Sequence, residues 1–198
     1  FDTICHEHLE FYALKQIMFI AEKAGLKVID VELNDINGGS FSIVASKKNS
    51  SHRVNERLIY KMLEKETAMG LDGIEVFKEF FERVEKEKNS LMKFLQDAKK
   101  DGKSVYGLGA STKGNVLLQY YGIDDTLLTA IGDVNEDKFG KFTPGSLIPI
   151  ISESEVLERK PDYLLILPWH FRDFFLSNTS MKGHTLVFPL PELTIVKV

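Results

Sequence analysis

Residues Val105 to Gly114 form a glycine-rich stretch that reads Val-Tyr-Gly-Leu-Gly-Ala-Ser-Thr-Lys-Gly. An apolar run leads directly into glycines and then into a segment with helical character, Asn115 to Tyr121. Glycine permits tight turns and a close approach of the backbone to a ligand, and the free N–H groups at a helix N-terminus favour an anion. The stretch therefore predicts a strand, a turn of phosphate size and a helix. Its candidate ligand-binding residues are Gly107, Gly109, Ala110, Ser111, Lys113 and Gly114.

The glycine spacing differs from that of a standard dinucleotide-binding turn. Gly114 follows Gly109 by five positions, whereas the Gly-x-Gly-x-x-Gly pattern requires three. Two interpretations therefore stay open. The turn binds a nucleotide or phosphate, with Lys113 adding a mobile positive charge, or it is a glycine-rich turn that serves packing alone.

Residues 103–198 alternate short apolar segments with helical ones, a pattern that predicts a parallel sheet with right-handed crossovers. We interpret this part of the chain as a small Rossmann-like domain of an α/β protein. The predicted strands cover Ser104–Leu108, Leu128–Asp133, Tyr163–Leu167 and Thr185–Phe188, and the predicted helices cover Thr112–Tyr121, Ser152–Glu158 and Phe171–Asn178.

Ligands of such sheets bind beyond the carboxyl ends of the strands, where we expect the glycine turn, Asp133 and Trp169 to meet. Asp133 ends a predicted strand 24 residues after Gly109, which is roughly where a dinucleotide fold places its ribose-binding acid. The alternative is an acid that only stabilises the turn at the strand end. Trp169 and His170 either line the same cleft or have a structural role.

The first part of the chain predicts a helix over His8–Ala24, a strand over Lys27–Leu33 and a hairpin that returns along Ser40–Ser46 through turn residues such as Asn37 and Gly38. So few residues bury too little surface to be stable alone. We therefore expect residues 1–47 to be the tail of a larger domain. Residues 48–102 predict two charged helices that connect it to the sheet domain.

Composition excludes several classes of protein. The net charge of −4 argues against general binding to nucleic acid, which requires a basic excess. The apolar runs are of strand length and too short to cross a membrane. A single cysteine excludes an internal disulfide and fits a reducing, cytoplasmic compartment.

Because the sequence begins at Phe1 without a start methionine or a signal sequence, we expect a fragment of a longer protein.

Cys5-His6-Glu7-His8 is the most reactive stretch of the sequence. A metal could use His6 and His8, but no second cluster supplies further ligands in an obvious way, so we predict no metal site. The stretch could also be a polar cluster that caps the following helix. A third interpretation is acid/base catalysis, because histidine titrates near neutral pH and a neighbouring Glu raises its basicity. Cys5 as a nucleophile lacks a further catalytic partner.

The sequence resembles the S-adenosylmethionine-dependent sugar C-methyltransferases, which act on nucleotide-linked 4-keto-deoxysugars. Phe1 to Leu14 is similar to the Tyr-His-Glu-His-Leu segment of that family. Four later blocks match the family in the same order. These are Gly25–Ser40 with Asn37-Gly38-Gly39-Ser40, Gly107–Gly114, Lys138–Ile150 with Pro144-Gly145, and Lys160–Trp169.

This resemblance implies that residues 1–46 end a methyltransferase domain and that the C-terminal domain is Rossmann-like. The zinc cysteines and the S-adenosylmethionine loop are expected upstream of Phe1, so this chain alone is expected neither to bind that cofactor nor to turn over. The resemblance makes His8 the general base beside the 4-keto group, with Glu7 orienting or polarising the site and His6 supporting it. It implies a nucleotide-sugar substrate near the glycine turn, and packing against the upstream methyltransferase domain.

Three positions depart from the family pattern. Cys5 replaces the tyrosine, Ser42 stands where the family commonly has arginine, and His170 where it commonly has asparagine. Two alternative functions therefore stay open. One is an oxidoreductase domain that binds NAD or NADP, which would need the absent Gly-x-Gly-x-x-Gly spacing. The other is a non-catalytic module that binds nucleotide sugars, which the loss of the tyrosine permits.

Overall fold

The computed structural model describes residues 1–35 and 39–198, and the predicted Asn37-Gly38 turn lies outside them. The chain divides into two compact units. We call Leu9–Phe81 the hairpin unit, and Phe1–His8 together with Glu82–Val198 the sheet unit. The domain boundaries predicted at residues 47 and 102 stay predictions.

The hairpin unit contains α1 (Leu14–Lys23), β1 (Leu26–Asn34), β2 (Ser40–Lys47), α2 (Glu56–Ala68) and the start of α3 (Glu75–Lys100). The predicted antiparallel pairing of β1 with β2 is confirmed, with Leu26 opposite Lys47 and Asn34 opposite Ser40. One face of this hairpin is covered by α1 and α2. The buried core consists of Leu14, Ala21, Val28, Val31 and Ile59.

Helix α1 begins later than predicted, at Leu14 instead of His8. Its first N–H groups are capped from α2, because the Glu66 carboxylate accepts from Leu14 N at 2.6 Å and from Lys15 N at 3.2 Å. The stretch from Cys5 to His8 forms turns instead, with His8 N donating to Cys5 O. The interpretation of this stretch as the cap of the following helix is therefore wrong.

The sheet unit contains the rest of α3 and six strands with three further helices. In chain order these are β3 (Val105–Leu108), α4 (Thr112–Tyr121), β4 (Ile131–Asp133), β5 (Ile150–Ser152), α5 (Glu153–Glu158), β6 (Tyr163–Ile166), α6 (Arg172–Ser177), β7 (Thr185–Phe188) and β8 (Thr194–Lys197). The strand order is β5-β4-β3-β6-β7-β8. The predicted Rossmann-like α/β architecture is confirmed.

Two features of the sheet were not predicted. The short edge strand β5 is additional, and β8 runs antiparallel to β7, so the sheet is not parallel throughout. Only residues 189–193 separate β7 from β8, which is too short for the crossover that a parallel strand needs. The chain therefore reverses direction at this edge.

Side chains of the central strand β6 alternate between the two faces of the sheet, as a strand requires. Leu165 belongs to a core with Leu91, Leu95, Leu117 and Leu118 from α3 and α4. Leu164 and Ile166 belong to a second core on the opposite face, with Phe175 of α6 and Val156 of α5. Both faces of β6 are buried, which explains the uninterrupted apolar run in its sequence.

Candidate functional site

The carboxyl ends of three neighbouring strands bring the predicted ligand-binding residues together. Strand β3 leads into the glycine turn, β4 ends at Asp133, and β6 is followed by Pro168 and Trp169. Gly109 N donates to Gly132 O at 2.7 Å, and Leu167 N donates to Leu108 O at 3.1 Å. These bonds continue the sheet up to its edge and fix the three loops relative to one another.

Packing accounts for the glycines of the turn. Gly109 has a φ of +81°, and a Cβ placed there would lie 2.7 Å from Pro168 Cδ. A Cβ at Gly107 would lie 2.9 Å from Ile131 Cγ1, and one at Gly114 would lie 3.0 Å from Leu167 Cβ. Such distances are shorter than normal van der Waals contact. The fold therefore needs these glycines for close packing, and their contact with a ligand stays a prediction.

Ser111 caps helix α4 at the end of the turn. Its hydroxyl oxygen accepts from Gly114 N at 3.1 Å, and Gly122 ends the helix in the left-handed conformation. These caps reproduce the predicted helix bounds. Because β3 leads directly into α4, the N-terminus of α4 lies at the carboxyl edge of the sheet, and Lys113 is in its first turn.

Asp133 braces the glycine turn from β4. Its side chain is buried, with the residue 6% exposed, and Oδ2 accepts from Ala110 N at 2.8 Å and from Lys138 Nζ at 2.9 Å. Its Oδ1 accepts from Asn135 N at 2.8 Å. Burial raises the pKa of Asp133, but the donors from Asn135, Lys138 and Ala110 outweigh burial and hold the pKa below its usual value. The predicted contact of this carboxylate with a ligand stays a prediction.

Lys138 is a part of this arrangement that the sequence reasoning missed. Besides binding Asp133, its ammonium group donates to Ala110 O at 2.9 Å. A short 3₁₀ turn, Glu136–Lys138, brings the side chain back to the strand end. The signal available in the sequence is a lysine five residues after a strand-end acid, which alone is too common to identify the contact.

The segment Phe1–His8 attaches to the sheet unit at the turn after β6 and at the C-terminal end of α4. Trp169 Nε1 donates to Asp2 Oδ2 at 2.8 Å, and the Phe1 ring stacks on Tyr121 with 5.5 Å between centroids. No pattern in the sequence indicates Asp2 as a contact for Trp169. This attachment places the predicted catalytic residues in the sheet unit.

His6, Glu7 and His8 have exposed side chains. His8 Nδ1 lies 2.7 Å from Thr3 O, and because a carbonyl oxygen only accepts hydrogen bonds, Nδ1 is the nitrogen that keeps its proton when the ring is neutral. In that tautomer Nε2 carries the lone pair. The geometry fits a base that uses Nε2, and the catalytic roles of all three residues stay predictions.

Three buried polar atoms of the sheet unit belong to α4 and to the turn that follows β6. Burial lowers the pKa of His170, the positive charge of Lys113 lowers it further, and Asp2 opposes both. Within residues 1–35 and 39–198, His170 Nδ1, Asn115 Oδ1 and the Tyr121 hydroxyl are buried without a hydrogen-bond partner. Such atoms are costly unless water or a ligand satisfies them.

The described residues also bear on three further features, which are the thiol of Cys5, metal ligands and membrane-spanning helices. Cys5 is half-buried and is a free thiol. Within the part of the chain that the structure describes, no group of three or more His, Cys, Asp or Glu side chains is arranged to hold a metal ion. In the same residues, no helix combines the length and the apolar character needed to span a bilayer.

Comparison with known proteins gives two matches. A family model described as "C-methyltransferase C-terminal domain" matches residues 35–191. The chain is also 32% identical over 199 residues to the C-methyltransferase NovU of Streptomyces niveus, an alignment that covers 99% of this chain and 47% of NovU. The chain thus spans about half the length of the curated relative that it matches.

Proposed function

The chain belongs to the C-methyltransferase family, and from that membership we propose that it supplies the general base and the substrate-facing domain of an S-adenosylmethionine-dependent enzyme. The proposed substrate is a nucleotide-linked 4-keto-deoxysugar. The observation that carries this proposal is the geometry of His8, whose exposed ring is held through Nδ1, so that Nε2 is the basic nitrogen of the neutral ring.

His8 Nε2 acts on the carbon next to the ketone. A carbonyl group acidifies the adjacent C–H bond, because the electron pair left behind is delocalised onto oxygen as an enolate. A neutral imidazole is well matched to accept this proton near neutral pH. The C–H bond breaks, an N–H bond forms at Nε2, and the carbon becomes a nucleophile for methylation. Glu7 orients or polarises the site, and His6 supports it.

The glycine turn of this chain does not fit S-adenosylmethionine. Ala110 N, the amide that follows Gly109, already donates to Asp133, and the space beside Gly109 is filled by Pro168. S-adenosylmethionine would supply an electrophilic methyl group. We propose that residues outside this sequence hold it, in a methyltransferase domain that packs against this chain, since NovU is about twice as long as the aligned region.

The nucleotide part of the substrate is proposed to bind at the carboxyl edge of the sheet unit. Lys113 supplies positive charge at the N-terminus of α4, where phosphate oxygens are favoured. The buried, unpartnered atoms of Asn115 and His170 are polar groups that a ligand could satisfy. Gly107, Gly109, Ala110, Ser111, Gly114 and Asp133 shape this surface.

Each of the two alternatives has a feature that bears on it. An NAD- or NADP-dependent oxidoreductase domain would use the glycine turn for the pyrophosphate, but its Ala110 amide already binds Asp133. A non-catalytic nucleotide-sugar module would be favoured by Cys5, which replaces the phenol expected from the family resemblance. Family membership favours the methyltransferase proposal over both.

The proposal is tested by substituting His8 in the complete methyltransferase. We expect His8→Ala to lower kcat for methyl transfer by at least about 100-fold, while the Kd of the nucleotide sugar changes by less than about threefold. His52→Ala, which changes another exposed histidine, is the matched control and should keep wild-type kcat. Near-normal turnover of His8→Ala would contradict the assignment of His8 as base.

A further inference from the structure

Asp2 attaches the segment Phe1–His8 to the loop after β6, in addition to the stacking of Phe1 on Tyr121. Asp2 is 6% exposed, and its Oδ2 accepts the hydrogen bond from Trp169 Nε1. A buried carboxylate needs a donor, since its desolvation is otherwise uncompensated. An indole N–H only donates, so the two groups form a matched pair that holds the segment against the loop after β6.

Thr3 transmits this position to His8. Thr3 directly follows Asp2 in the chain. Its carbonyl oxygen accepts from Cys5 N at 3.1 Å and from His8 Nδ1 at 2.7 Å. Ile4 N donates to Phe1 O at 2.8 Å, and His8 N donates to Cys5 O at 3.0 Å. These bonds make the segment a compact series of turns, in which Asp2 directly precedes the residue whose carbonyl group binds the His8 ring.

We propose that Asp2 and Trp169 are positioning residues for His8, acting through the carbonyl of Thr3 to fix the ring orientation and the Nδ1-protonated tautomer. The inference rests on the proposed function of His8 as general base. It also changes the role predicted for Trp169. Its indole N–H binds Asp2, so the residue orients the base and does not use that group to hold the nucleotide.

The first experiment uses the 198-residue chain and needs no substrate. The ¹⁵N chemical shifts of the His8 ring report which nitrogen is protonated. We expect the Nδ1-protonated form to dominate in the wild type and to lose its dominance in Asp2→Ala and Trp169→Phe. Asp2→Asn keeps an amide oxygen that can accept from Trp169 Nε1, so the Nδ1-protonated form should again dominate in this variant. Asp173→Asn, an exposed carboxylate on α6, is the control and should match the wild type.

The second experiment measures methyl transfer in the complete enzyme. We expect kcat to fall by about 10-fold to 100-fold in Asp2→Ala and Trp169→Phe, because a misplaced catalytic group costs rate, with KM within about twofold of wild type. Asp2→Asn should recover most of kcat. If Trp169→Phe fails to fold, comparison of Asp2→Ala with Asp2→Asn still decides the question.

The two experiments separate this inference from the proposed function. Ring shifts unchanged in Asp2→Ala and Trp169→Phe would overturn the positioning role, whatever His8 does in catalysis. Shifts that change as expected while His8→Ala retains full turnover would support the positioning of the ring and contradict only its use as base. A rise in KM with unchanged kcat would also overturn the inference, since it would indicate substrate binding by Trp169.

Discussion

The indole Nε1 of Trp169 donates a hydrogen bond of 2.8 Å to Asp2 Oδ2, joining residues 167 positions apart in the chain. Phe1 and Trp169 also pack against the same hydrophobic core of the sheet unit. The segment Phe1–His8 is therefore part of the sheet unit, which also contains the glycine turn. The residues that follow this segment belong to the hairpin unit. The proposed base and the proposed nucleotide-binding edge are held by one compact body.

Gly109→Ala should destabilise the sheet unit. The new Cβ would meet Pro168 at 2.7 Å, in a backbone conformation with positive φ that L-residues avoid. We expect a loss of about 3 kcal/mol in the free energy of unfolding. Urea unfolding followed by the fluorescence of the single tryptophan measures it.

Gly140→Ala is the matched control for that substitution. Gly140 also has a positive φ, of +73°, but nothing lies within 4 Å of the added Cβ. It should lose only about 1 kcal/mol, the backbone strain alone. Equal losses for the two variants would argue against the packing role of Gly109.

Asp133→Asn should also destabilise the sheet unit. The amide cannot reproduce the charged bonds to Lys138 and Ala110, and a buried donor left unpaired costs about 1–3 kcal/mol. Asp137→Asn, at an exposed position, should stay within about 0.5 kcal/mol of wild type. The same tryptophan-detected unfolding compares them, and similar stabilities for both variants would show that the brace contributes nothing.

Asp162 should make stability depend on pH. The bond from Lys103, with further donors from Ser104, lowers the pKa of Asp162 to about 2, below its ordinary 3.8. Because the folded pKa is the lower one, the contribution is complete above about pH 4 and is lost as pH falls towards about 2. The stability difference between wild type and Asp162→Asn should therefore shrink across that range.

Asp125→Asn controls for the general effect of acid in that comparison. Asp125 is exposed, so Asp125→Asn should stay within about 0.5 kcal/mol of wild type in the same measurements. If the stability difference between wild type and Asp162→Asn did not change with pH either, the lowered pKa of Asp162 would be contradicted. Urea unfolding at several pH values provides both comparisons.

Glu66→Ala should loosen the start of α1. The N-cap residue Ala13 provides no side-chain cap, and the Glu66 carboxylate accepts from Leu14 N and Lys15 N instead. Loss of a cap costs about 1 kcal/mol, which should lower amide exchange protection in α1 by about fivefold. Glu64→Ala, at an exposed position of α2, should leave that protection unchanged; equal protection in both variants would refute the capping role.

Local signals made some elements predictable. Helix α4 begins and ends as expected, because Ser111 and Gly122 are capping residues adjacent in sequence to the helix. Strand β6 was predictable from an uninterrupted apolar run, since both of its faces are buried. The chemistry of these elements lies within a few residues of where it acts.

Long-range contacts decided what could not be predicted. The start of α1 depends on Glu66, which lies 52 positions from Leu14. The attachment of the segment Phe1–His8 depends on Trp169. The direction of β8 follows from the short connection after β7 and not from the composition of the strand. At the candidate site, the sequence predicts that Asp133 ends a strand near the glycine turn. It does not predict the bond from Lys138 to this carboxylate.

The central claim is that His8 removes a proton from the carbon beside the ketone. Its most direct test is deuterium exchange at that carbon, with the complete enzyme and a nucleotide-linked 4-keto-deoxysugar in D₂O without a methyl donor. We predict that the wild type exchanges this position and that His8→Ala slows the exchange by at least about 100-fold. Exchange by His8→Ala at the wild-type rate would contradict the claim.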